Sequence, residues 1–186
     1  MTMMNAQVVH DFGSADQAFS LERLPIPKIN NKQMLIRVLA SSVNPVDCKL
    51  RRGIYPSSMP AMPAILHGDV VGEVVECGSL VEKFAIGDMI YGCAGGFKGR
   101  QGAIAEYMVV DPELIALKPK NLTPTQSACL PLVGITAWLA LFDRGKIQPN
   151  QKVLIHAASG GVGSIDRKST RLNSSHSTLS RMPSSA

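Results

Sequence analysis

Residues Lys152–Ser164 have the sequence KVLIHAASGGVGS, which is the clearest fold signal in the chain. Its first part, Val153–His156, is a short apolar run that predicts a buried β-strand. The turn that follows contains Gly160 and Gly161, which tolerate backbone conformations and close approaches that a Cβ would block. A strand that leads directly into a glycine-rich turn is typical of strand-turn-helix units that bind dinucleotides, because main-chain amides at the start of the helix can bind a pyrophosphate.

The glycine turn supplies the first candidate residues. Its spacing, Ala157-x-x-Gly160-x-x-Gly163, is a variant of the Gly-x-Gly-x-x-Gly pattern and is weak evidence by itself. The apolar run in front of it strengthens the interpretation, and a plain turn after a buried strand is the alternative. The predicted cofactor-binding residues of this turn are Ala157, Gly160, Gly161, Val162 and Gly163.

The residues before this unit predict helices. Thr123-Pro124-Thr125-Gln126 places threonine at the N-cap, proline at the first helical position and glutamine at the third, which is the capping-box pattern. The helix is expected to run to about Leu130, to be interrupted by Pro131, and to resume over the apolar Gly134–Phe142 with Trp138 in the core. No apolar run in the chain is expected to be long enough to cross a bilayer.

The first two thirds of the chain predict short strands, frequent Gly and Pro, and little helix, which together favour a barrel or a strongly curved sheet. A glycine inside one predicted strand, Gly72, predicts a bulge or the close approach of another backbone. Residues 21–33 are expected to be an extended loop, and Asp47–Arg52 a short helix that Gly53 stops. The predicted strands are Ala6–His10, Met34–Ser41, Val70–Cys77 and Ala103–Val110.

Composition excludes several classes of protein. The chain has 186 residues, 45% hydrophobic and 18% charged, which excludes wholesale disorder. The net charge is +5, but residues 166–186 hold four basic residues and one acid, so the rest of the chain carries only +2 and a nucleic-acid partner is not expected. Four cysteines without a Cys-x-x-Cys pair predict free thiols. No secretory signal is visible at the start, so a cytoplasmic protein is the expectation.

Residues 166–186 differ in kind from the rest of the chain. They contain seven serines and no periodicity, which predicts a disordered tail. A nucleic-acid arm or a phosphorylation target is an alternative. Asp166–His176 (DRKSTRLNSSH) and Ser180–Ala186 (SRMPSSA) resemble the translation of a sequencing adapter. We therefore expect the tail to be non-native and the natural protein to be cut near Ile165.

Several motifs in one order resemble the medium-chain dehydrogenase/reductase superfamily, in its zinc-less quinone oxidoreductase (zeta-crystallin-like) branch. The resemblance implies a mixed β and α/β fold: a GroES-like barrel, then the first strand and glycine turn of an incomplete Rossmann domain. The implied boundaries are 1–122 for the barrel, 123–150 for connecting helices, 151–165 for the Rossmann start and 166–186 for the tail. The motifs are NPVD (44–47), RRGIYP (51–56), HGDVVGEVVECG (67–78), GDMIYG (87–92), GAIAEY (102–107) and LPLVGITAW (130–138), with KVLIHAASGGVGS.

The resemblance also implies a chemistry without a metal. Zinc-dependent members have a cysteine ligand at the position of Asn44 and a histidine ligand at that of Gly68, so a three-ligand zinc site is not expected. Hydride transfer from NADPH, or NADH, to a quinone or an α,β-unsaturated carbonyl then becomes the expected reaction. By resemblance, Asn44 and Tyr55 are the catalytic residues and Thr136 contacts the nicotinamide.

Each assignment has an alternative. Asn44 could serve a turn, Tyr55 could be a barrel-edge aromatic, and Thr136 could pack within its helix. The alternatives for the whole protein are a zinc-type alcohol dehydrogenase and a non-catalytic, crystallin-like cofactor binder. The 186-residue chain itself is expected to be inactive, because a single strand has no parallel neighbours to pair with. The intact protein is expected to act on a small molecule without a nucleic acid or membrane partner, and the resemblance allows a homodimer.

Overall fold

The computed structural model describes residues 2–165. The chain forms two compact units, Met1–Leu132 and Val133–Ala186, and 133–165 is the described part of the second. The predicted tail, 166–186, lies outside the described residues.

The first unit is built on antiparallel sheets, as the turn-rich sequence predicts. The strands β1 and β2 form a hairpin, and a five-stranded sheet has the order β6-β3-β4-β5-β7. Bridges from Ala6 to Ala105 and from Val9 to Ala64 connect the hairpin to the rest of the unit. The strands are β1 Met3–Val9, β2 Phe19–Pro25, β3 Met34–Ser41, β4 Asp69–Cys77, β5 Met89–Cys93, β6 Tyr107–Val110 and β7 Ile115–Leu117.

Two segments of the first unit, 19–25 and 103–106, differ from the prediction. Residues 19–25 form β2, where a loop was expected from 21 onward, because full pairing with β1 outweighs the low strand propensity of the prolines. The strand predicted over Ala103–Val110 is shortened to β6, because the amides of Ala103 and Ile104 donate instead to the carbonyls of His67 and Leu66.

The main core lies on one face of the five-stranded sheet. Its members include Met34 and Ile36 of β3, Val70 and Val74 of β4, and Ile90 of β5, all fully buried. Burial of each such side chain stabilises the fold by about 1.5–3 kcal/mol, so the alternating apolar positions of β3 and β4 hold the centre of the unit together.

Gly72 confirms the prediction of a close backbone approach. A Cβ at this position would lie 2.8 Å from the Arg37 carbonyl oxygen on the neighbouring strand. The register between β3 and β4 also shifts between Val38 and Ala40, which is a bulge opposite the glycine.

The helical elements of the described range are short. They are α1 Ala15–Ala18, α2 Pro45–Arg51, α3 Pro124–Ala128 and α4 Pro131–Trp138, with single 3₁₀ turns at Pro56–Ser58 and Pro112–Leu114 and a π-helical continuation at Leu139–Arg144. The predicted capping box at α3 is confirmed: Thr123 Oγ1 accepts from Gln126 N at 3.2 Å, and Gln126 Oε1 accepts from Thr123 N at 3.0 Å.

The helical segment Pro124–Arg144 corrects one expectation. It is 21 residues long with a mean hydropathy of 1.4, so by length and composition alone it could cross a membrane. Core helices of water-soluble proteins meet the same criterion. Trp138 is 60% exposed and contacts Phe142, with ring centroids 4.5 Å apart, so its predicted core position is also wrong.

The segment Lys152–Ser164 forms only part of the predicted structure. Residues 151–155 have no regular secondary structure, and Leu154 is 76% exposed, so the predicted strand Val153–His156 does not form. A strand needs a neighbour for its backbone hydrogen bonds, and within residues 2–165 nothing pairs with this segment. The glycine turn does form: Gly160 N donates to Ala157 O at 3.0 Å, and residues 161–165 are helical.

Candidate active site

A buried carboxylate, Asp69, organises a polar cluster at the start of β4. Its side chain has no exposed surface. Oδ2 accepts hydrogen bonds from Ser42 Oγ at 2.8 Å and Asn44 Nδ2 at 2.9 Å, and Oδ1 accepts from the backbone amide of Leu132 at 2.9 Å. Asp69 therefore joins the loop after β3, the start of β4 and the first turn of α4.

Asn44 has a defined orientation within this cluster. It is the N-cap residue of α2, and its backbone amide donates to Asp47 Oδ2 at 2.7 Å. The side-chain amide nitrogen also lies 3.2 Å from Ser42 Oγ. Because an ionised carboxylate can only accept, the atom that faces Asp69 must be the donor Nδ2. The donor side of the Asn44 amide is thus engaged inside the protein.

His67 lies beside the same cluster with an unusual backbone. Its φ is +70°, in the left-handed region, and its ring Nδ1 lies 3.4 Å from Ser41 Oγ. Burial lowers the pKa of His67, and the nearby carboxylates of Asp47 and Asp69 oppose that shift. Burial raises the pKa of Asp47, and the main-chain amides of Asn44 and His67 partly offset the increase.

Cys93, the last residue of β5, lies beside Asp69 in the same cluster. Burial raises the pKa of its thiol to about 12, and the neighbouring carboxylate of Asp69 adds to the effect. The thiol is therefore neutral at physiological pH, which makes it a packing group rather than a nucleophile. All four cysteines are free, as predicted.

The residues present do not fit a catalytic zinc. A Cβ at Gly68 would lie 2.9 Å from both Cys93 Sγ and the Gly95 carbonyl oxygen, so no side chain can project from this position without moving them. Asn44 is engaged with Asp69. No group of three or more His, Cys, Asp or Glu residues in the described range could hold a metal ion. The Cys and His ligand set of a zinc site is therefore missing here.

The other predicted site residues lie outside the cluster. Tyr55 precedes the 3₁₀ turn Pro56–Ser58, is 46% exposed, and its hydroxyl has no hydrogen-bond partner within the described part of the first unit. Thr136 is an exposed residue of α4 in the second unit. The structure joins Asn44, but not Tyr55, to the hydrogen bonds around Asp69.

The glycine turn of the second unit has the local shape that a phosphate-binding turn needs. Ala157 has a φ of +52°, and a Cβ at Gly163 would lie 2.7 Å from Ala158 Cα, so only glycine fits there. Gly160 and Gly161 are exposed, and Ser164 N donates to Gly160 O at 2.9 Å as the helix begins. The turn is compatible with a cofactor phosphate held by main-chain amides.

The sequence did not single out Asp47 or Asp69 as acid/base residues, and His67 drew notice only because it lies one position from Gly68, where zinc-dependent members have a histidine ligand. One available signal was the position of Asp69 directly before the apolar pair Val70 and Val71, since a charge at a buried strand end needs partners. A groove of about 1240 Å³, lined by Leu24–Ile29 and Tyr107–Val109 among others, lies elsewhere on the first unit and shares no residue with the cluster.

The antiparallel sheets of the first unit are those of a GroES-like domain. Residues 30–120 match the alcohol dehydrogenase GroES-like domain family. An alcohol dehydrogenase superfamily protein from Novosphingobium aromaticivorans has a similar structure, with a TM-score of 0.86 and 40% identity over 92% of this chain and 51% of that one. The chain belongs to the medium-chain dehydrogenase/reductase superfamily, which confirms the predicted fold class and resemblance.

Curated relatives extend well beyond the matched region. The chain is 39% identical to a mitochondrial NAD(P)H oxidoreductase of Dictyostelium discoideum, over 75% of this chain and 41% of the relative. It is 36% identical to a chloroplastic NADPH-dependent alkenal/one oxidoreductase of Arabidopsis thaliana, over 87% of this chain and 43% of the relative. Other matching relatives are named quinone oxidoreductases. The chain therefore spans about half the length of the curated relatives it matches.

Proposed function

We propose that the intact protein reduces a quinone or an α,β-unsaturated carbonyl with a hydride from NADPH or NADH, without zinc. The observation that carries the proposal is the packing at Gly68, where Cys93 and Gly95 fill the space that a ligand side chain would need. Without a Lewis acid to stabilise an alkoxide, alcohol oxidation loses its main support. A conjugated acceptor spreads the incoming charge over its own bonds and needs less help. Relatives named NAD(P)H, alkenal/one and quinone oxidoreductases support the same reaction.

The proposed roles follow from the residues. A bound nicotinamide cofactor supplies the hydride. Ala157, Gly160, Gly161, Val162 and Gly163 hold its pyrophosphate through main-chain amides, and Thr136 contacts the nicotinamide. Asn44 lines the reacting centre with an amide that Asp69 fixes in place, and Tyr55 offers an exposed hydroxyl to the acceptor.

Steady-state kinetics of the intact protein would test this proposal. We expect oxidation of NADPH with benzoquinones and enals, and no reduction of NADP⁺ by primary or secondary alcohols. Elemental analysis of the same preparation should give no stoichiometric zinc. Alcohol oxidation together with bound zinc would favour a zinc-type dehydrogenase instead, and tight NADPH binding without turnover of any acceptor would favour a crystallin-like binder.

The 186-residue chain by itself is proposed to be inactive. Val153 and Leu154 are exposed at 39% and 76%, which supports the idea that the dinucleotide-binding unit lacks partners for its first strand. Isothermal titration calorimetry of this chain should detect no saturable NADPH binding, and a micromolar dissociation constant would contradict that.

Three further proposals concern the intact protein. NADPH is proposed over NADH, the cytosol is the proposed compartment, and a homodimer is the proposed assembly. Comparison of kcat/KM with NADPH and NADH, cell fractionation, and analytical ultracentrifugation would test them in turn. The domain boundaries at 122 and 150 are likewise proposed, and limited proteolysis followed by mass spectrometry would test them.

A further inference from the structure

The backbone of His67 is held in a conformation that histidine disfavours. Its φ of +70° lies in the left-handed region, which only glycine adopts without strain. The surroundings enforce it: the His67 carbonyl accepts from Ala103 N at 2.9 Å. A Cβ at Gly96 or Gly102 would lie 2.7 Å or 2.6 Å from His67 backbone atoms, so main chain packs tightly against both sides of the residue. Strained residues held in this way are concentrated at functional sites.

The ring of His67 has one nitrogen anchored and one free. Nδ1 lies 3.4 Å from Ser41 Oγ. Nε2 has no hydrogen-bond partner among residues 2–165, and it reaches the surface, because Ser127 Oγ is the sole fully buried side-chain nitrogen or oxygen in that range without a partner. Nδ1 is therefore positioned by Ser41, whereas Nε2 is accessible from the surface.

The other donors of the cluster are already in use. Ser42 Oγ donates its proton to Asp69, and Asn44 Nδ2 donates its two protons to Asp69 Oδ2 and Ser42 Oγ, so neither group has a proton left for a reduced acceptor. The Cys93 thiol is buried beside the same carboxylate. His67 Nε2 has no hydrogen-bond partner among residues 2–165. Burial lowers the pKa of His67, and the carboxylates of Asp47 and Asp69 oppose that shift and so favour the protonated ring.

We propose that His67 is a catalytic residue that donates a proton from Nε2 to the oxyanion formed when the acceptor takes up hydride. This inference rests on the proposed function. A bound reduced nicotinamide would supply the hydride by loss of one of its C–H bonds. The acceptor would gain a C–H bond and become an enolate, or, if it is a quinone, gain an O–H bond and become a hydroquinone monoanion. The imidazolium N–H bond then breaks as the new O–H bond forms, and solvent reprotonates the neutral imidazole. The balance is one hydride and one proton consumed for each acceptor reduced.

The decisive variant is His67→Gly in the intact protein. Glycine is favoured at φ +70°, so this change removes the acid while it relieves the backbone, and the thermal midpoint should stay equal or rise. Turnover with an enal should fall by about 100-fold or more, which is typical for loss of a general acid. Added imidazole should restore activity in proportion to its concentration. His10→Gly, at an exposed histidine paired with Glu22, is the matched control. Its turnover should equal that of the wild type, and added imidazole should not change it.

A second variant separates proton transfer from shape. His67→Gln keeps a polar side chain of similar size but cannot act as an acid at neutral pH, so it should lose about as much activity as His67→Gly. Tyr55→Phe is measured in the same series, because Tyr55 is the other candidate donor.

These measurements distinguish failure of the proposed function from failure of the proposed role of His67. Failure of the wild type to oxidise NADPH with any quinone or enal would remove the proposed function, and the His67 role with it. An active wild type with either His67 variant within about threefold of its kcat would overturn the His67 proposal alone. A folded, inactive His67→Gly protein that imidazole leaves unchanged would also overturn it, because a merely structural role predicts that outcome.

Discussion

Substitution of Gly102 by alanine should destabilise the first unit strongly. Gly102 lies where the 101–104 segment crosses residues 65–67, and its amide donates to Ile65 O at 2.7 Å. A Cβ here would lie 2.6 Å from His67 O and closer still to the Leu66 carbonyl. All of these neighbours are backbone atoms, so no side chain can rotate away to relieve the contact.

The size of the effect follows from the bonds that must shift. Ordinary van der Waals contact begins near 3.4 Å, so the His67 carbonyl would have to retreat by about 0.8 Å and the Leu66 carbonyl by more. That movement disturbs three hydrogen bonds, from Gly102 N, Ala103 N and Ile104 N to residues 65–67. At about 1 kcal/mol each, we expect a loss of about 3 kcal/mol in the free energy of unfolding.

Urea unfolding of the chain, followed by far-UV circular dichroism, measures this loss. Gly134→Ala is the matched control: it sits in α4 with nothing within 4 Å of a new Cβ, so it should stabilise by about 0.5–1 kcal/mol. If Gly102→Ala unfolded within about 1 kcal/mol of the wild type with an unchanged m-value, the steric argument would be wrong.

Three further predictions test other parts of the structure. Thr123→Ala removes the hydrogen-bond acceptor of Gln126 N and should lower the free energy of unfolding by about 1 kcal/mol, as measured by urea unfolding. Gln126→Ala should give a similar loss if the two halves of the capping box act together. The pKa of Cys93 is raised to about 12 when folded, against 9.0 unfolded, so the unfolded thiol ionises first and stability should fall as pH rises from 9 toward 12. The loss should be about 1 kcal/mol at pH 10 and absent in Cys93→Ala, and an equal loss in both proteins would refute the assignment. Asp69→Asn cannot accept from all three of its donors and should cost about 2 kcal/mol in the same unfolding assay; an unchanged midpoint would show that Asp69 does not organise the cluster.

Much of the barrel could be predicted because its strands carry local signals. Met34–Ser41 was predicted with the bounds observed, and Val70–Cys77 to within one residue, because β-branched and aliphatic residues dominate both. β2 was missed because Pro25 and the polar residues before it hide a strand that depends on its partner. The strand predicted over Val153–His156 does not form for the opposite reason. Its composition favours a strand, but no neighbour among the described residues supplies the hydrogen bonds.

The candidate site was only partly readable from the sequence. Asn44 was identified through resemblance, but its fixed orientation comes from Asp69, 25 positions away. The role of His67 depends on a backbone angle and on contacts with residues 96 and 102. Such links join distant positions and leave no periodic pattern, so they emerge only when the chain is folded.

The crowding at Gly68 constrains how this protein could ever be converted into a metalloenzyme. A single change to histidine at this position would drive its Cβ into Cys93 Sγ and the Gly95 carbonyl, both 2.9 Å away. An engineer, or a lineage under selection, would have to free Asn44 from Asp69, make room at Cys93 and re-route the 94–97 turn before the first ligand could be installed. A zinc ligand at position 68 would therefore need coordinated changes at Cys93 and in the 94–97 turn rather than a single substitution.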